Sequence, residues 1–322
     1  MISVIIPCFN SIDFISRAIH SVLRQTYNNY EIILVDNNST DGTHEILLDY
    51  QQKFPKLISV FGERKKGAPA ARNKGLYEAK GEWLQFLDSD DELLADKLEK
   101  QIAVAESSKA DILAASHYVY KTSEHKTEVK ILSIETGDVW EALVLSKLGS
   151  TSSFLWRKRA VLAVGGWDET KTSSQEYDLI FRMLKKNAQL CYWVTPQTIM
   201  HHRVNSISRS RDENRLIEIM DNNVNLRLQI KEYLRAAGRS TKQLNFIDRY
   251  IYTYLINTTG WHPLRLKKGI ISAYVKKKLR QINLDLPTVF ITKFFLLRLK
   301  NKVKGKIFKT IKEISKIVRS QI

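Results

Sequence analysis

Four carboxylates fall within five residues at Asp88-Ser89-Asp90-Asp91-Glu92, directly after the apolar run Trp83-Leu84-Gln85-Phe86-Leu87. Packed side by side they repel, and each raises the pKa of its neighbours. A divalent cation removes that cost. Hard carboxylate oxygens suit Mg²⁺ or Mn²⁺, and Mg²⁺ is usually held by one or two carboxylates together with substrate phosphates. The competing reading is a solvated acidic loop that caps a helix at Leu93. A further carboxylate, Asp36, ends the run Ile32-Ile33-Leu34-Val35 and opens Asp36-Asn37-Asn38-Ser39-Thr40-Asp41-Gly42-Thr43. Asp41 and Thr43 read as turn and helix-cap residues. Asp36, at the end of a strand, reads as a ligand contact.

Two more segments carry candidate chemistry. In Lys65-Lys66-Gly67-Ala68-Pro69-Ala70-Ala71-Arg72-Asn73-Lys74-Gly75, small residues let backbone approach a ligand, and Arg72 or Lys66 could offset phosphate charge. This segment fits neither the P-loop nor G-x-G-x-x-G, which weighs against ATPase and dinucleotide-binding readings. Gly165-Gly166-Trp167-Asp168-Glu169 is followed by Gln175-Glu176-Tyr177-Asp178 at the start of a helical pattern. Acids in a first turn complement the helix dipole. Glu176 behind a polar loop also fits a general base, with Asp178 in reserve.

The elements that must position these groups alternate. Val4-Ile5-Ile6, Ile32 to Val35, Ile58 to Val60 and Trp83 to Leu87 read as strands. Pro7 and Asn10 are expected to break the first. Ile12 to Gln25, Thr43 to Tyr50 and Pro69 to Ala79 read as helices, the last stopped by Gly81. Such alternation predicts parallel β-α units in a three-layer α/β/α domain, with ligands at the carboxyl ends of the strands. Farther on, Tyr177 to Lys186 and Glu213 to Ala237 are helical and Thr198-Ile199-Met200 is strand-like, leading into His201-His202-Arg203. A domain boundary is expected near 205–215.

The chain has 322 residues, long for one domain, with 43% hydrophobic residues, enough for a core and against global disorder. Two cysteines, Cys8 and Cys191, make neither a disulfide framework nor a Cys-based zinc site; they read as small core residues in a reducing compartment. A secretory signal is not expected ahead of Ile2, and no apolar run in the sequence is long enough to span a bilayer. The net charge is +17, and most of it lies after His262, where 17 Lys and Arg face only Asp285 and Glu313. Val303, Ile307, Ile311, Ile314 and Val318 share one helical face there, among Lys304, Lys306, Lys309, Lys312, Lys316 and Arg319. A basic amphipathic segment, about 289–322, predicts binding to an anionic membrane surface. No recognised nucleic-acid module precedes it, so a nucleic-acid partner is not expected.

Taken in order, Val4-Ile5-Ile6-Pro7-Cys8-Phe9-Asn10, Val35 to Thr43, Ala71-Arg72-Asn73-Lys74-Gly75, Phe86-Leu87-Asp88-Ser89-Asp90-Asp91, Gly165 to Glu169 and Glu176 to Arg182 resemble the inverting family 2 glycosyltransferases of GT-A fold. The likeness covers about 1–210, and a helical C-terminal region at 211–322 follows. It implies transfer of a sugar from a nucleotide-diphosphate sugar, UDP-sugars favoured, to a glycan hydroxyl. Pro7, Phe9 and Asn10 would line the base pocket, and Asp36 would contact the base. Arg72 and Asn73 would lie beside the nucleotide. Asp88 and Asp90 form the family's D-x-D, with Asp88 toward the ribose and Asp90 on a Mg or Mn ion. Gly166 and Trp167 would border the acceptor, with Trp167 as a sugar-stacking platform. Glu176 would deprotonate the acceptor. It stands where the family often has Asp, one methylene shorter. His201 or His202 could complete the metal site or reach the diphosphate. With the basic tail, the likeness implies a polyprenyl-linked glycan acceptor, cell-surface polysaccharide assembly and a cytoplasmic, peripheral place at the inner membrane face. Transfer onto polyprenyl monophosphate, which needs no strict base, and a non-catalytic protein that binds membrane or nucleic acid through its tail are the alternatives.

Overall fold

The computed structural model describes residues 1–123, 126–202, 212–261, 270–282 and 284–286. The chain runs β1 (Ile2–Cys8), α1 (Ile15–Leu23), β2 (Tyr30–Asp36), α2 (Thr43–Lys53), β3 (Ile58–Gly62), α3 (Ala68–Glu78), β4 (Trp83–Phe86), β5 (Glu92–Leu93) and α4 (Lys97–Ser107). It continues through β6 (Ile112–Ala115), β7 (His117–Ser123), β8 (Lys126–Leu132), α5 (Val139–Val144), β9 (Leu155–Arg157), α6 (Lys158–Leu162), α7 (Gln175–Lys185), β10 (Leu190–Trp193) and β11 (Thr198–His201). Helices α8 (Glu213–Ala236), α9 (Thr241–Trp261) and α10 (Ile270–Gln281) follow.

Seven strands form the main sheet in the order β10-β6-β9-β4-β1-β2-β3. All neighbours pair in parallel except β9, which runs antiparallel to both β4 and β6. The near-continuous apolar run of β1 follows from burial on both faces. Val4 and Ile6 pack with α1 residues Ile15, Ala18, Ile19 and Val22 and α4 residues Leu98 and Ile102 on one face. Ile5 joins α3, α5 and α7 on the other. The three-layer α/β/α arrangement predicted from the alternation is therefore present. A smaller sheet, β5-β11-β7-β8, lies beside it.

Several local expectations change. Pro7 lies inside β1, opposite Val35 of β2. The amide of Leu87 donates to Ile5 O at 2.9 Å, so the odd-numbered residues face β4, whose pairing ends at Ile5. Proline there forfeits no ladder bond. Gly81 does not stop α3, which closes at an extended Ala79. It lies under β1, where a Cβ would come within 2.7 Å of the Ser3 nitrogen. Glu92 and Leu93 form a strand paired with β11 rather than a helix start.

The expected boundary at 205–215 falls partly on 203–211, outside the described residues, as does the basic segment at 289–322. On the described side, Leu216, Met220, Val224, Ile230, Ile247, Ile251 and Val275 share one buried cluster with Trp140, Phe181 and Ile5. Helices α8 to α10 thus pack on the sheet domain through a continuous core. Lys231 and Asp248 join α8 to α9 at 2.6 Å and 2.7 Å, with side-chain exposures of 6% and 0%. Lys231→Met leaves an unpaired buried carboxylate and is expected to cost about 3–5 kcal/mol, measured as a lowered thermal midpoint. An unchanged midpoint would contradict this account of the helical layer. Among the described residues, no helix is long and apolar enough to cross a membrane.

Candidate active site

The predicted groups gather where β1, β2 and β4 end. Asp36 closes β2; its Oδ1 accepts from the Ser39 amide at 3.1 Å, and its Oδ2 lies 3.3 Å from His44 Nδ1. Asn10 takes a left-handed conformation, φ 46°, which asparagine tolerates better than most residues. Its Oδ1 accepts from the Thr40 amide at 2.8 Å, and its own amide donates to Ser39 Oγ at 3.1 Å. Pro7 is half-buried and Phe9 stands 59% exposed at the rim. Asn37 was not singled out from the sequence. It donates to Glu63 O and Lys65 O at 2.8 and 2.7 Å and accepts from the Gly67 amide at 2.7 Å, so it fixes the approach to α3.

Asp88 to Asp91 form a tight turn, closed by the Asp91 amide on Asp88 O at 3.0 Å. Arg17 donates to Asp90 O at 2.7 Å, and Ser89 Oγ meets Ser11 Oγ at 2.8 Å. Asp91 is buried. Desolvation first, and then the charges of Asp88 and Asp90, push its carboxyl well above the ordinary range. Glu92 points away, toward Arg17 at 3.3 Å and His201 at 2.7 Å. His201 thus braces the strand behind the turn, and its amide donates to Asp91 Oδ1 at 3.3 Å. The His202 amide donates to Tyr120 O at 2.8 Å, and Arg203 lies outside the described residues.

Arg72 is the connector. One guanidinium nitrogen reaches Asp88 Oδ1 and another Gln175 Oε1, each at 2.7 Å. Its guanidinium carbon sits 4.7 Å from the centre of the Trp167 ring. Only 6% of the side chain is exposed, so Arg72 holds the acidic turn against the start of α7 instead of lying open beside a nucleotide. Glu176 occupies the first turn of α7, after Ser174 in a left-handed conformation. Burial raises its pKa; the backbone at the helix start, Arg72 and Arg227 oppose that rise, and Asp88 adds to it. Asp178 is buried and ion-paired with Arg182 at 2.8 Å, which removes it as a reserve base.

Two expectations are corrected here. Trp167 is only 2% exposed and packs edge-on against Phe86 at 5.0 Å and Trp156 at 6.1 Å. Its ring is the floor under Arg72, not a platform for a sugar. Asn73 is buried too, with its amide fully used on the Gly-Gly-Trp turn. It donates to Trp167 O at 2.9 Å and Glu169 Oε1 at 2.7 Å and accepts from the Trp167 amide at 2.8 Å. Gly166, φ 71°, permits this contact: a Cβ there would lie 2.6 Å from Asn73 Oδ1. These residues shape the site from beneath.

Among the described residues, no three His, Cys, Asp or Glu side chains converge as a closed metal cage. Asp88 and Asp90 lie on one turn, and their carboxylate oxygens are the hard donors that would suit Mg²⁺ or Mn²⁺, with Asp88 Oδ1 also held by Arg72 at 2.7 Å.

A mostly parallel sheet with an acidic turn, an arginine bridge and an enclosed glutamate at its carboxyl edge is a GT-A-type transferase architecture. The model of Glycosyl transferase family 2 matches residues 3–165, half of the chain, and the protein belongs to that family. TuaG of Bacillus subtilis (strain 168), named as a teichuronic acid biosynthesis glycosyltransferase, is 46% identical over 102 residues, 32% of this chain and 40% of TuaG. WfgD of Escherichia coli, a UDP-Glc:alpha-D-GlcNAc-diphosphoundecaprenol beta-1,3-glucosyltransferase, is 42% identical over 104 residues, 32% of this chain and 40% of WfgD. The match therefore spans two fifths of these relatives. The crystal structure of S. aureus TarS 1-349 in complex with UDP-GlcNAc superposes with a TM-score of 0.56 at 17% identity, covering 87% of this chain and 91% of that one.

Proposed function

We propose that the protein is an inverting, metal-dependent glycosyltransferase that moves a sugar from a UDP-sugar to a hydroxyl of a polyprenyl-linked glycan during cell-surface polysaccharide assembly. The observation that carries this reading is the Arg72 bridge, which ties Asp88 to Gln175 and so sets the acidic turn beside Glu176. In this reading Pro7, Phe9 and Asn10 border the base, and Asp36 accepts the uracil imide N–H. Asp88 and Asp90 hold the divalent ion, which when bound offsets charge on the diphosphate.

Glu176 takes the proton of the acceptor hydroxyl. The freed oxygen attacks the anomeric carbon from the face opposite UDP. The new C–O bond forms as the bond to the diphosphate oxygen breaks with its electron pair, and the anomeric centre inverts. Burial raises the proton affinity of Glu176, which strengthens it as a base. The lipid-linked acceptor is proposed by analogy with WfgD, and cell-surface assembly by analogy with TuaG. The basic segment 289–322 would hold the protein at the inner face of the cell membrane, with 1–210 as the catalytic unit.

A thermal-shift comparison of UDP-, GDP-, dTDP- and CMP-sugars, each with and without Mn²⁺, tests the reading. A UDP-sugar is expected to stabilise the protein only when Mn²⁺ is present, by about 2.7 kcal/mol at a hundredfold excess over Kd. No shift with any donor would remove the nucleotide-sugar site.

A further inference from the structure

A buried polar chain runs beneath the acidic turn. Lys97 of α4 is fully buried with no carboxylate partner among its described contacts. Its ammonium group bonds Gln85 Oε1 and, at 2.6 Å, Gln101 Oε1. Gln85 of β4, also fully buried, passes the chain on by donating to Ser152 O at 3.0 Å. Ser152 lies in a single 3-10 turn, Thr151–Ser153. Its hydroxyl accepts from the Asp88 amide at 3.0 Å and donates to Asp91 Oδ2 at 2.7 Å. One hydroxyl therefore grips both ends of the turn that presents Asp88 and Asp90.

We infer that Ser152 is a positioning residue for the metal and diphosphate end of the site, anchored by Gln85 and Lys97 and acting on Asp88 and Asp90 without touching substrate. The physical ground is preorganisation. A turn with several neighbouring carboxylates tends to spread under its own repulsion, and a cation binds less tightly if it must first gather its ligands. Ser152 holds the backbone of the first carboxylate and the side chain of the last, so the turn is gathered beforehand. Ser152 joins the two parts of this chain: its carbonyl takes the Gln85 amide and its hydroxyl holds the turn, and a buried hydrogen-bonded network resists distortion.

The inference rests on the proposal that Asp88 and Asp90 hold a divalent cation, so the experiment separates the two. UDP binding to the full chain is measured by calorimetry across a Mn²⁺ titration for the parent, Asp90→Ala, Ser152→Ala, Ser152→Thr and Ser153→Ala. Ser153 is the control: among the described contacts its buried hydroxyl bonds only to Ser150, at 2.9 Å in each direction. Ser152→Ala is expected to raise the Mn²⁺ concentration for half-saturation at least tenfold, with Ser152→Thr recovering most of the loss. Ser153→Ala is expected to stay within twofold of the parent even where its thermal midpoint falls. Should Ser152→Ala fail to accumulate, Ser152→Cys, with a weaker and longer-reaching donor in a similar volume, is read by the same criterion. A Mn²⁺ dependence within twofold of the parent in the Ser152 variant, or an equal rise in Ser153→Ala, overturns the positioning role. Unaltered Mn²⁺ dependence in Asp90→Ala would instead overturn the metal assignment itself.

Discussion

Glu176→Gln is expected to lower kcat by roughly 10²–10⁴-fold while UDP binding stays near the parent value. The amide fills the same space and cannot accept the acceptor's proton. In the parent, the rate is expected to follow the deprotonated fraction of Glu176. Burial raises that pKa, so the acidic limb of the rate profile is displaced upward from that of a free glutamate. The variant's residual rate loses this limb. Stability moves the other way. A carboxyl whose pKa is raised on folding favours the folded state while protonated and loses that advantage as pH climbs through the folded value. Glu176→Gln is therefore expected to be more stable than the parent at neutral pH, with the gap closing in acid. Full turnover by Glu176→Gln would remove the base and favour transfer onto polyprenyl monophosphate, whose phosphate oxygen needs none.

The second large effect belongs to Arg72. Each hydrogen bond to a charged group contributes about 1.5–3 kcal/mol, and Arg72→Ala loses the bonds to Asp88 and Gln175 together. Two such losses correspond to a fall in kcat/KM of roughly 10²–10⁴-fold. Arg72→Lys is expected to recover little. A point-like ammonium cannot hold both acceptors in a planar fork or stack on Trp167 in the same way. Both variants should weaken metal-dependent UDP binding and also slow turnover, because the bridge touches the acidic turn at one end and the base helix at the other. A variant that altered binding alone would sever the proposed tie to Glu176.

The acidic turn, the strands before it and the helical start at Gln175 were legible because strand ends announce themselves: an apolar run stops at a charged residue. What supports them was not. Trp167 after two glycines looks like a rim aromatic in one dimension, and only the fold brings Asn73 across to pin its backbone and Arg72 over its ring. Lys97 is one of several charged residues on a short helix, and nothing in its local pattern marks it as the one turned inward. Ser152 gains its role from partners 61 and 64 residues away. Pro7 misled for a related reason. Its missing N–H breaks a strand only where a neighbour needs that group, and the short length of β4 decides that it does not.

The contacts around Arg72 bear on how this protein could be recombined with its relatives. The family match ends at 165, an inviting place to join the first half of one family member to the second half of another. Arg72 to Gln175, Asn73 to Trp167 and Lys65 to Glu169 all cross that junction. Arg227 reaches back over it to Val144 O at 3.0 Å. A chimera cut there divides the Gly165 to Glu169 segment and separates the partner pairs just named. Parents exchanged at this seam would have to match at both sides of these pairs, so the working unit of inheritance is the set of cross-junction contacts, not either half alone.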